Sequence, residues 1–289
     1  MKKFTNTVRT AIVVAMLGAT GSALAVGTGL PFTVSDMVVP GDPGSLSNKI
    51  VDSFDFSYKA VIDQANDGPT ALNPSGVLNG DAFTEKGFFE ASSYKLGSVT
   101  VPTQLNASFG GYAMYGIFSL TGTSALSSGS IKATFLTGEL KIYLDPDQDG
   151  VRSLPNAGAA DGLIPLDAIS SNIGEDKLIG TATLLNFGEA HLFPGLANGD
   201  YEIIWGNWAL ANPFGPTYWS APAAFHTIIN FNGNTTTVTP PGSATAPFIS
   251  VADGSGNAFF NRVPEPSGLA LLGIGLLGLS LSRIRKTRA

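Results

Sequence analysis

The chain has 289 residues, enough for one large domain or two modest ones with a sizeable core. Only 13% of the residues are charged and 44% are hydrophobic, a balance that excludes general disorder. Cysteine is absent and histidine occurs only at His191 and His226, which excludes disulfides, thiolate metal sites, cysteine nucleophiles and a three-histidine metal site within one subunit.

Charge is spread unevenly among the 16 basic and 22 acidic residues. Lys2, Lys3 and Arg9 stand at the start, and Arg283, Arg285, Lys286 and Arg288 at the end, where Glu265 is the one acid. Setting those seven basic residues and that acid aside leaves nine basic and 21 acidic residues, a body of net charge −12. Such a body repels nucleic acid and anionic lipid and attracts cations. Nucleic acid is therefore not an expected partner.

Residues 1–25 read as a secretory signal peptide. Lys2, Lys3 and Arg9 give the positive start, Ala11–Gly18 the short apolar run, and Ala23-Leu24-Ala25 the small-x-small site that signal peptidase requires. From there the apolar residues alternate with period two. Phe54, Phe56, Tyr58 and Ala60 fall on one face of a strand, with Ser53, Asp55, Ser57 and Lys59 on the other. Further strands are expected at Gly111–Leu120, Glu139–Leu144, Leu178–Phe187, Tyr201–Leu210 and Phe225–Phe231. Asn232-Gly233 before Thr235–Val238 predicts a type I′ hairpin turn. Phe248–Val251 and Ala258–Phe260 predict a last hairpin. No long amphipathic helix follows residue 25. Residues 26–262 are thus expected to form one extracellular antiparallel β-sandwich, jelly-roll-like and all-β.

Asp145-Pro-Asp147-Gln-Asp149-Gly150 follows a predicted strand and opens a long acidic loop, Asp145–Ala168. Alternate carboxylates ahead of a glycine let a backbone wrap a hard cation such as Ca²⁺, as in the first half of an EF-hand loop. The twelfth position is Asn156 rather than Glu, so this is no EF-hand; Asp161 or Asp167 is the candidate closing ligand. A solvated acidic turn is the alternative. Trp205, Trp208 and Trp219 cluster with Phe214 and Tyr218. Exposed, the rings would stack on sugars; the odd spacing of Trp205 and Trp208 on opposite strand faces makes core packing the alternative for at least one. No nucleophile elbow, zinc-protease motif or P-loop occurs, and neither histidine sits in a local motif, so no catalytic residue is expected.

The end of the chain is an address. Val263-Pro264-Glu265-Pro266 precedes the apolar run Gly268–Leu281 and the cluster Arg283–Arg288. As a helix, fourteen apolar residues reach about 21 Å, short of a ~30 Å hydrocarbon core, and the basic cluster holds the C-terminus on the cytoplasmic side. Gly273-x-Gly275-x-x-Gly278 inside this run follows no strand and is no dinucleotide site. Residues 263–289, with the motif, the Gly/Leu-rich segment and the Arg-rich end in that order, resemble the PEP-CTERM sorting signal of Gram-negative, biofilm-forming bacteria. The resemblance implies recognition by exosortase, an inner-membrane intermediate, and delivery to the cell surface or matrix. Pro31–Val34, Gly138–Asp149 and Ala160-Asp161-Gly162 are similar to segments of the flocculation-associated PEP-CTERM proteins (the PepA group). That likeness implies a non-enzymatic role in aggregation with exopolysaccharide or neighbouring cells. A secreted carbohydrate-binding or carbohydrate-active module is the alternative.

Overall fold

The computed structural model describes residues 29–35, 48–64, 80–108, 111–127, 130–152, 174–193, 198–223, 225–239 and 248–261. The signal segment with Ala23 and Ala25, the linker to the tail, and the tail itself lie outside them, as do Asp161 and Asp167. The strands are β1 (Phe32–Ser35), β2 (Asn48–Val51), β3 (Ser53–Gln64), β4 (Ala82–Leu96), β5 (Val99–Val101) and β6 (Ala113–Ser127). They continue with β7 (Ser130–Asp145), β8 (Lys177–Leu192), β9 (Gly199–Leu210), β10 (Trp219–Ala221), β11 (Ile228–Thr239) and β12 (Phe248–Asn261). A single helical turn, α1 (Gly215–Tyr218), precedes β10.

The all-β antiparallel class holds, but the sheet closes into a barrel instead of splitting into two sandwich layers. Around the wall the order is β3-β4-β6-β7-β8-β9-β11-β12, and β12 pairs back onto β3 over Phe248↔Gln64 to Phe259↔Ser53. Each long strand lies beside its successor, with the last closing on the first. That is the up-and-down arrangement, and it removes the open edges a sandwich would keep. It also replaces the expected jelly roll, whose strands cross between layers.

Period-two alternation survives closure because a barrel, like a sandwich, has one inner and one outer face. Phe54, Phe56, Tyr58 and Ala60 of β3 are buried inside, while Ser57 and Lys59 are exposed outside. Leu140, Ile142 and Leu144 of β7 point inward against Glu139 and Lys141. An apolar lumen and a polar outer wall are the reverse of the pattern a lipid-facing barrel needs. Phe54, Phe56, Phe89 and Phe231 meet in the lumen at centroid distances of 5.0–6.3 Å. One end is stoppered by the small sheet β10-β1-β2. Its Phe32 and Trp219 pack edge-on with each other at 6.0 Å and both touch Phe260 of the wall.

Two turn readings are corrected. Asn232-Gly233 lies inside the continuous strand β11, and the supposed last hairpin is the single strand β12. The glycines are there for space. A Cβ on Gly233 would sit 2.6 Å from the Tyr201 hydroxyl, and one on Gly254 would sit 2.3 Å from the Tyr58 ring. Glycine inside a strand often marks such close approach.

Candidate functional site

The described chemistry concentrates on the outer wall near the stoppered end, where β7 runs into its loop. Asp145, last residue of β7, has the parity of Glu139 and Tyr143 and so faces outward. It is nonetheless fully buried, because the turn through Arg152 folds back over it. The Gly150 N–H donates to Asp145 Oδ2 at 3.1 Å, and Arg152 Nη1 reaches the same oxygen at 3.1 Å. A Cβ on Gly150 would lie 2.7 Å from Asp145 Oδ2, so the glycine of the motif allows this closure. Gln148 takes the left-handed conformation, φ 58°, and donates from Nε2 to the Ala107 carbonyl at 3.0 Å.

Arg152 is held on three sides. Its Nε donates to Glu90 Oε1 at 2.7 Å, and its guanidinium lies 4.5 Å from the Tyr115 ring centroid. Those ion pairs hold its proton against the desolvation that would weaken it. Tyr115 stacks on Tyr143 at 5.3 Å and 15°, and its hydroxyl donates to Asp176 Oδ2. Desolvation raises the pKa of Asp176, with the charge of nearby Asp145 adding to it and the Tyr115 hydrogen bond opposing. Asp147 is also raised, by desolvation first and then by the closeness and charge of the Asp145 and Asp149 carboxylates.

Asp145, Asp147 and Asp149 are thus brought together: one carboxylate oxygen from each lies within 4.8 Å of the others. Among the described residues, Asp176, Arg152 and Glu90 are the members the motif did not point to. Asp176 lies just before β8 and Glu90 belongs to β4, so only the barrel's pairing places them here.

The tryptophans do not form a sugar platform. Trp205, Trp208 and Trp219 are 1%, 4% and 1% exposed. Trp205 and Trp208 share the inner face despite their odd spacing because β9 carries a bulge. Asn207, at φ 50°, is part of an irregularity where Thr181↔Ala209 jumps to Thr183↔Gly206, which turns Trp208 inward like Trp205. The outer wall does carry an open groove of about 410 Å³ beside Thr121, Thr137, Glu139 and exposed Leu136, with no aromatic ring among the described residues that line it. His191 sits between Asp200, 3.0 Å away, and Glu189 at 4.0 Å, and His226 Nε2 lies 3.3 Å from the Pro31 carbonyl.

Comparison with known proteins points to the other end of the chain. Residues 262–286 match the family described as the PEP-CTERM protein-sorting motif. The match supports a PEP-CTERM protein and covers Val263, Pro264, Glu265 and Pro266. The motif implies export, a membrane-anchored sorting intermediate and processing by exosortase. No curated protein and no solved structure matches the chain. Among the described residues no helix is long and apolar enough to cross a membrane.

Proposed function

We propose that this chain is a surface or matrix protein that promotes exopolysaccharide-associated cell aggregation, as the flocculation-associated PEP-CTERM proteins do. Signal peptidase removes residues 1–25, exosortase acts at or near Pro264-Glu265-Pro266, and the barrel is delivered outside a Gram-negative cell. There it engages polysaccharide or neighbouring cells without turnover. The observation that carries this reading is the sorting motif at residues 262–286, behind an N-terminus with the charge, apolar run and cleavage site of a secretory signal. An apolar lumen within a polar wall suits a stable exported scaffold whose outer surface makes the contacts.

Deletion of Pro264–Ala289 tests it. The truncated chain should leave the cell as soluble protein with an unchanged melting curve, and flocs should weaken. Unchanged flocs together with equal surface retention of the truncated chain would overturn the reading.

A further inference from the structure

We propose that the turn following β7 binds one hard divalent cation of the Ca²⁺ type, anchored by Asp145 and closed by Asp147 and Asp149. The three carboxylates converge within the span that a shared ion bridges when each oxygen lies ~2.3–2.6 Å from it. Convergence of exposed acids alone is commonplace. Here a second observation points to a ligand: Asp145 is fully buried, yet its Oδ1 has no hydrogen-bond partner among the described residues.

Leaving such an oxygen dry and unpaired is costly, more so for a charged group than a neutral one. The protein satisfies the other oxygen of the same carboxylate twice, from Gly150 and from Arg152. Oδ1 is left for something the described residues do not supply. Water would relieve it in part, but a cation also relieves the crowding of Asp145 with Asp147 and Asp149. Arg152 cannot do both jobs, because its charge is shared between Asp145 and Glu90. Asp176 adds a further buried oxygen, Oδ1, without a partner among the described residues.

The donors select the ion class. All are carboxylate oxygens with no histidine or thiolate among them, which suits Ca²⁺ or Mg²⁺ and not zinc or copper. Asp147 and Asp149 are exposed on a turn. An irregular, adjustable oxygen cage with room for water favours Ca²⁺, whereas Mg²⁺ demands near-ideal octahedral geometry. The inference stands apart from the aggregation reading and is tested without it.

The test is titration of the full-length chain with CaCl₂ by calorimetry. Tb³⁺ serves as an optical probe, excited through Tyr115 and Tyr143, which flank the cluster. The expected result is one saturable Ca²⁺ site and Tb³⁺ emission that Ca²⁺ displaces. Asp147→Asn and Asp149→Asn, both at exposed positions that leave the barrel wall untouched, should each weaken Ca²⁺ by about tenfold or more. Asp253→Asn, on the far strand β12, should leave it unchanged. Absence of saturable Ca²⁺ binding at millimolar concentration would overturn the proposal. Equal affinity in wild type, Asp147→Asn and Asp149→Asn would overturn it as well.

Discussion

The barrel and the tail carry their information differently. In the tail, residues 263–289, everything that matters is contiguous: a four-residue motif, an apolar run and a basic end, recognisable from order alone. In the barrel only Asp145, Asp147 and Asp149 stand together in sequence, and the residues around them come from other strands. The acidic cluster unites Glu90 of β4, Tyr115 of β6, Asp145 of β7 with its turn, and Asp176 before β8. An address is read by an enzyme as a string, so order suffices. A site exists only after strands pair, so its members are scattered.

This contrast says where substitutions should act: changes in the barrel should alter stability or cation binding and leave the sorting address readable. The largest effect should come from the lumen. Trp205→Ala removes a ring that packs on Phe231 at 6.3 Å and is 1% exposed. It should cost ~3–5 kcal/mol in denaturant unfolding. A cost near zero would mean the lumen is not the core.

Arg152→Ala comes next. It strands Asp145, 0% exposed, without its cation and should cost about 3 kcal/mol in calcium-free buffer. If the turn binds Ca²⁺, saturating calcium should recover part of that loss, measured by the same unfolding curves. Recovery by an equal increment in wild type and variant would show that ion and guanidinium do not share the carboxylate.

Glu85 gives the most graded effect. It shares the inward parity of Phe83 and Phe89 on β4, and desolvation raises its pKa from 4.5 to about 7. The folded state therefore holds this proton more tightly than the unfolded chain does. Its contribution is fully present below pH 4.5 and is lost as pH rises through about 7. Glu85→Gln should stabilise the protein above pH 7 by up to about 3 kcal/mol and flatten the pH dependence between those values. An unchanged slope would place the carboxyl in water.

How much of the barrel was legible follows from the same contrast. Period-two alternation identified the inner faces of β3 and β7 residue by residue, because burial on one side is written locally. Closure was not legible, since it rests on β12 pairing with β3 across the length of the chain. The bulge at Asn207 was equally hidden, and with it the burial of Trp208. Gly233 reads as a turn residue because its reason, the approach of Ser255 and of the Tyr201 hydroxyl on neighbouring strands, appears only in the assembled wall. Asp145, Asp147 and Asp149 were found by spacing. Arg152 and Asp176 had no local signal to find.

The account depends most on the chain being sorted through its C-terminal address while the barrel is the part delivered. Mass spectrometry of the protein recovered from the cell surface tests this most directly. The account predicts a C-terminus at or near Pro264-Glu265-Pro266, with Gly268–Ala289 missing and the barrel strands through Asn261 intact. Surface protein that retains the chain through Ala289 would contradict it.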